Sequence, residues 1–536
     1  MKALVVLALC AASLLGQDIS GQRIRAHVRF LSSDLLEGRG VGTRGGDLAT
    51  DYIATEFALA GLKPAGDNGT FLQQVPLVGV EPQADTTLAA SNSGQRLDFR
   101  WSQDFVGVTN RQQPLVDFEA EAIFVGHGIV APEFQWDDFK GADVRGKVLV
   151  LFTNEPPSDD PKFFGGRALT YYGRWTYKYE QATRMGAAGV IIIHTTPTAG
   201  YGWEVVRNSW GKENAQMKLE PGRPALSFAG WVTEEAGARL LAMAGKTVGE
   251  LLKSAESRDF KPIPLGLTMR GRLPNKVRQI RTANVAGIVP GSDPKLAQEA
   301  VIFSAHWDHL GIGTPVNGDS IYNGAVDNAT GCGILLELAR AWAALQTKPR
   351  RSALFLAVTA EESGLLGSEY YTLHPIVPPG KTALGMNFDA FQPLGITADI
   401  TASGAERTTA WPMVQDVAKR FRFEIMPDAR PEQGGYYRSD HFPFAQAGIP
   451  SFSVGQGRKF VGKPPGFGSE TSEKFNASRY HQPSDEFQED WDFSGLEAIA
   501  RFGFALGLDA SNIDSLPSWK PGDEFLPVRE KSLKQP

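Results

Sequence analysis

Residues 300–308 read Ala-Val-Ile-Phe-Ser-Ala-His-Trp-Asp, and residues 326–342 read Val-Asp-Asn-Ala-Thr-Gly-Cys-Gly-Ile-Leu-Leu-Glu-Leu-Ala-Arg-Ala-Trp. The first stretch is an apolar run of strand length that breaks off at a histidine and an acid. In the second, Ile334, Leu335, Leu338 and Trp342 recur on one face, which predicts a helix over Thr330 to Leu345. The alternation continues downstream, where further apolar strands end at Val358, Phe388 and Val454 with helices between them. Continuous apolar strands alternating with helices predict an α/β fold: a mostly parallel twisted sheet flanked by helices.

Upstream, residues 22–63 read as helix, loop, helix, with a turn at Glu37-Gly38-Arg39-Gly40 and Gly61 near the stop. From about residue 116 the texture becomes β-rich. Strands are expected at Ala122–Gly126, Lys147–Phe152 and within Gly186–His194, with a helix over Lys178 to Met185. The expected organisation is therefore a leader over 1–16, the first part of the main domain over 17–85, a β-rich insert over 86–274, the rest of the main domain over 275–516, and an irregular Pro- and charge-rich tail over 517–536.

Composition narrows the function. Of 536 residues, 42% are hydrophobic and 21% charged, an ordinary globular balance. With 54 Lys+Arg against 60 Asp+Glu the net charge is −6, and no basic run marks a nucleic-acid partner. The cysteines are Cys10 and Cys332, so neither a disulfide framework nor a cysteine-held zinc is possible. Any metal must be held by histidine and carboxylate. The opening Met-Lys-Ala-Leu-Val-Val-Leu-Ala-Leu-Cys-Ala-Ala-Ser-Leu-Leu-Gly has the charged start, apolar run and small residues of a secretory leader. The expected location is secreted or periplasmic, with no membrane span once the leader is removed, since no later stretch reaches about 18 apolar residues.

Histidine or acid is placed near strand ends or helix starts in the segments His306-Trp307-Asp308, Val326-Asp327-Asn328-Ala329-Thr330-Gly331, Glu361-Glu362, Asn387-Phe388-Asp389 and Tyr480-His481. In open α/β sheets the ligand crevice lies at the carboxyl ends of the strands. Histidine and carboxylate suit zinc, and two ions side by side need a carboxylate that touches both. Asp327, Glu362 and Asp389 would bring −3 against the +4 of two divalent ions, leaving the site electrophilic. Manganese or cobalt would also be accepted by such ligands. Each residue has a plainer use: Asp327 as a helix cap, Glu361 and Glu362 as exposed strand-end acids, Cys332 as a buried thiol. His27, His127, His194 and His374 are expected to be structural, with His309 and His441 intermediate.

Taken in order, these motifs resemble the co-catalytic zinc aminopeptidase family, which also contains glutamate carboxypeptidases, glutaminyl cyclases and the silent transferrin receptors. The resemblance covers most of 275–510 and also 22–63, while Phe124–Lys147 and Gly186–His194 resemble a protease-associated domain. It implies the zinc exopeptidase fold and two zinc ions. His306 and Asp389 would hold one, Glu362 and His481 the other, with Asp327 between them. Glu361 would be the general base for metal-activated water, and Asp308 would buttress His306. Tyr480 would steady the oxyanion, a role that Tyr436 or Tyr437, ahead of Ser439-Asp440-His441, could fill instead; Arg438 would meet a substrate carbonyl or carboxylate. The activity implied is a metallo-exopeptidase with a peptide substrate. No arginine cluster lies beside the motifs to grip a C-terminal carboxylate, which favours an aminopeptidase. The alternatives are a glutamate-carboxypeptidase-like enzyme, a cyclase relative, or a binding protein on the same scaffold.

Overall fold

The computed structural model describes residues 18–199 and 202–534. The leader expected over 1–16 lies outside the described residues. The chain divides into two compact units: residues 76–280 with 430–437 form one, and the segments up to 75, 281–429 and from 438 onward form the other.

The main unit is built on a sheet whose centre is parallel. Strand β1 (Ile263–Val289) contributes its last residues, antiparallel to β3 (Ser352–Val358). β3 then pairs in parallel with β2 (Ala300–His306), β2 with β4 (Thr382–Phe388), and β4 with β6 (Ser451–Gln456). β5 (Asp399–Ser403) follows antiparallel to β6, and the short strand Glu424–Met426 pairs in parallel with β5. Every residue of β2, β3 and β4 is buried, which is why these strands read as unbroken apolar runs.

Helices cover both faces. Val301, Phe303, Ala305, Phe355 and Ala357 share a core with helices α1 (Gly21–Leu31), α2 (Arg44–Leu59), α3 (Thr330–Ala343) and α4 (Ser494–Asn512). Within it Phe303 stacks on Phe355 at 5.0 Å and both meet Trp342 edge-on. Ile302, Leu354, Leu356 and Val358 face the other way, onto Tyr371, Phe444 and Ile449. Burying side chains of this size contributes about 1.5–3 kcal/mol each. The sheet is thereby fixed in register, and its strand ends can hold polar groups to close tolerance.

The other unit has strands Phe105–Val108, Leu115–Phe124, Val148–Phe152, Gly189–Ile193 and Phe228–Val232, with the early part of β1. Val148–Phe152, Gly189–Ile193 and Phe228–Val232 run parallel, with helices Trp175–Arg184 and Glu234–Met243. The expected insert over 86–274 lies inside this unit, whose limits fall at Pro76 and Ile280 and which gains 430–437 as well. The tail differs from expectation. Leu526–Ser532 is a helix with Pro527 in its first turn, where a missing N–H costs nothing, and Trp519 and Arg529 are buried. Among the described residues no helix is long and apolar enough to cross a membrane.

Candidate active site

Where β2, β3 and β4 end, the chain delivers histidine and acid to one place. His306 is the last residue of β2, and period-two alternation turns Trp307 away from it. Trp307 is buried and anchors the strand end by donating its indole N–H to the Ala283 carbonyl at 3.0 Å. Glu361 and Glu362 follow β3 across Ala360 (φ +54°), and Asp389 follows β4. His481 itself has φ +56°. Left-handed non-glycine residues cost on the order of 1 kcal/mol or more and gather where side chains must be aimed.

Asp327 stands between two histidines. Its Oδ1 is 3.3 Å from His306 Nε2, and its Oδ2 is 3.3 Å from His481 Nε2. His306 Nε2 is also 3.2 Å from Asp389 Oδ1, and His481 Nε2 is 3.2 Å from Glu362 Oε2. Two sets of donor atoms result. Those of His306, Glu361 and Asp389 lie within 4.8 Å of one another, and so do those of His309, Asp327 and Glu362. Ser439 Oγ donates to Asp389 Oδ2 at 2.5 Å and accepts from Asn387 Nδ2 at 2.7 Å, which fixes the Asp389 carboxylate.

The electrostatics divide the carboxylates. Burial alone would lower His306, but Asp389, Glu361 and Asp327 outweigh it and hold it well above the ordinary imidazole range. His481, against the same burial, is raised to about 10 by Glu362 and Asp327. Asp327 and Glu362 are correspondingly held below their usual values despite burial. Glu361 goes the other way: burial and the charges of Glu362 and Asp389 push its carboxyl well up. Burial also lifts Asp308 to about 6 and Asp440 to about 7.

Several expected roles look different in the structure. The Asp308 carboxylate is 3.9 Å from His306 Nδ1, and the acceptor within reach is the Asp308 backbone carbonyl at 3.2 Å. Asp308 Oδ1 accepts instead from the Glu361 N–H at 3.1 Å, so its carboxylate positions the proposed base. Tyr480 is 46% exposed and stacks on the His481 ring at 3.9 Å. Tyr436 and Tyr437 belong to segment 430–437 of the other unit, where Tyr437 packs on Tyr171, and Arg438 is exposed at the end of the same turn. His27, His127 and His194 are members of neither donor set.

His309 carries more than the sequence showed. Its Nδ1 is 2.7 Å from Glu362 Oε1, while its Nε2 is buried with no hydrogen-bond partner. The ring lies against Gly324 (φ +58°), where a Cβ would meet His309 Cγ at 2.5 Å and the Asp327 carbonyl oxygen at 2.2 Å. A second histidine three residues past His306 was the available signal.

Imidazole nitrogens and carboxylate oxygens facing one another in two adjoining sets, with a buried imidazole nitrogen left over, fit a cation or pair of cations in the site. Fold and site together define an α/β domain with His and acid donors gathered at the ends of parallel strands. Residues 284–504 match the model of peptidase family M28. Aminopeptidase NAALADL1 of Rattus norvegicus is 33% identical over 121 residues, which is 21% of this chain and 14% of that protein. Aminopeptidase YwaD of Bacillus subtilis (strain 168) is 26% identical over 317 residues, 58% of this chain and 53% of that protein. The chain thus spans about half or less of the length of these curated relatives. Among solved structures, an aminopeptidase from Aneurinibacillus sp. strain AM-1 aligns over 95% of this chain and 98% of that one, with a TM-score of 0.51 at 18% identity, a likeness of fold.

Proposed function

We propose that the protein is an exported dinuclear zinc exopeptidase that removes N-terminal residues from peptides. The observation that carries this reading is Asp327, whose two oxygens each face a different histidine at 3.3 Å. In this reading His306 and Asp389 would hold one zinc and Glu362 and His481 the other, with Asp327 a ligand available to either. Zinc bound there would supply Lewis acidity toward water and the scissile carbonyl.

The remaining roles belong to the chain. Glu361, fixed through its N–H on Asp308, takes the proton of the attacking water and returns it to the departing amine nitrogen. The upward push on its carboxyl is the direction that suits a proton carrier near neutral pH. The Tyr480 hydroxyl, on a ring stacked against His481, steadies the oxyanion. A free substrate ammonium is drawn by Glu361, Glu362 and Asp389, and the relatives above are named as aminopeptidases. The leader-like sequence supports export.

End-blocked peptides test it. An N-acetylated peptide should resist cleavage and a C-amidated one should be cut, in both cases with chelator abolishing turnover. Cleavage that instead requires a free C-terminal carboxylate would assign a carboxypeptidase. Equal cleavage of both blocked peptides would remove the exopeptidase reading.

A further inference from the structure

We propose that Arg39 and Asp485 are positioning residues that grip the Asp327 turn from its two sides and so set the metal-binding geometry. The inference rests on the zinc reading only in its second half; the grip itself is a matter of main-chain hydrogen bonds.

The turn is irregular. Asp327 (φ −111°, ψ 94°) and Asn328 (φ −132°, ψ 44°) are not helical. Backbone groups here therefore need partners other than a helix, and leaving a buried one unpaired costs about 1–3 kcal/mol. On the amide side the partner is Asp485. Its carboxylate accepts from the N–H of Val326 and of Asp327 at 3.1 Å, and its carbonyl accepts from Ala325 N–H at 2.9 Å. On the carbonyl side the partner is Arg39. Its Nη1 donates to the Asn323 carbonyl, and its Nη2 to the Gly324 carbonyl at 2.9 Å.

Arg39 also ties this turn to the other ligand segment. Its Nε donates to the Trp307 carbonyl at 2.8 Å, its Nη1 to the Leu31 carbonyl at 2.6 Å, and its own carbonyl accepts from His309 N–H at 3.3 Å. One side chain thus spans the residues just after His306 and those just before Asp327, the two donors that face each other at 3.3 Å. Arg39 is 1% exposed and Asp485 is fully buried. The four acceptors of Arg39 are all backbone carbonyls. Burying a guanidinium in this way costs several kcal/mol before its hydrogen bonds offset it. A planar fork can reach carbonyls in three directions, which the compact ammonium of lysine cannot.

Arg529 provides the control. It is also fully buried and also donates to backbone carbonyls, those of Pro517, Pro379 and Thr382. It lies at the end of β4 opposite Asp389.

The experiment uses full-length Arg39→Lys, Asp485→Asn and Arg529→Lys, with Arg39→Gln and Asp485→Glu as second variants where the first fails to fold. Zinc affinity is read by competition with a chelating dye, and amide exchange of segment 321–328 by mass spectrometry on metal-free protein. Both site variants should bind zinc about 10–100-fold more weakly and exchange 321–328 faster, since partners behind metal ligands typically carry that much affinity. Arg529→Lys should lower the melting temperature without either effect. Faster exchange with unchanged zinc affinity, or an equal loss in Arg529→Lys, would overturn the proposal. If the wild-type chain takes up no zinc, the zinc reading of the site falls. The grip is then judged by exchange alone, and unchanged exchange in the site variants overturns it.

Discussion

The two units each bury a group of ionisable side chains, and the insert's lysine, aspartate and histidine are pushed the opposite way from the facing histidines and carboxylates around Asp327. In the inserted unit Lys178 Nζ donates to the carbonyls of Asn154 and Tyr172 at 2.8 and 2.6 Å, and Asp138 accepts from the Trp136 indole and the Ile129 amide at 2.8 and 2.9 Å. Burial pushes Lys178 down to about 7, Asp138 up to about 6 and His127 down to about 3, each toward its neutral form. In the main unit His306 and His481 are raised while Asp327 and Glu362 are lowered, each toward its charged form. Burial of titratable groups therefore does not mark a site by itself. A site is marked where nitrogen and oxygen donors face a common point, as around Asp327; in the insert Lys178 Nζ, His127 Nδ1 and Asp138 Oδ2 are instead taken by backbone groups.

The sharpest way to break this contrast is Glu361→Gln. Turnover should fall about 10²–10⁴-fold, with zinc content and melting temperature unchanged, because the variant removes only a proton acceptor. A variant that keeps more than half of wild-type kcat ends the assignment. Lys178→Met should do the reverse. It leaves two buried carbonyls and Asp138 without their cation, so stability should fall by about 3 kcal/mol in urea unfolding, with wild-type zinc content. Loss of zinc in this variant would mean that the two clusters are not the separate kinds described. The smallest effect concerns pH. His127 is held neutral in the folded insert down to about pH 3, whereas in the unfolded chain it takes up a proton near its ordinary pKa of about 6.5. The unfolded state thus binds the extra proton first, and stability is lost as pH falls from about 6.5 toward 3, amounting to about 2 kcal/mol at pH 5. His127→Asn keeps an N–H for the Thr153 carbonyl but cannot titrate, so its unfolding free energy should change less between pH 7 and pH 5 than that of the wild type. Identical slopes would reject the role of His127.

Much of the main unit was legible because its central strands are buried on both faces, so they appear in the sequence as apolar runs that end at His306, Val358 and Phe388, with acids close behind. The donors were legible for the same reason. Partners contributed by distant segments were not. Glu362 is 53 residues from His309, and nothing local to either announces their contact. Asp485 and Arg39 act on main-chain groups, which carry no residue-type signal. The insert's limits fall within strands Leu72–Pro82 and Ile263–Val289, where no break in composition marks them. The tail was misread because its prolines and charges obscured a helix that buries Arg529.

The interruption of the main unit by residues 76–280 has a consequence for the order of events in synthesis. Helices α1 and α2 end at Leu59, but β2, whose face they share in the core, begins only at Ala300. At about 5–20 residues per second the ribosome takes on the order of 10–50 s to make the intervening chain. During that time Ile24, Val28, Ile53 and Phe57 have no core to enter, whereas the insert's own strands follow one another and can close first. The main unit is thus assembled last, from pieces that bracket an already folded one.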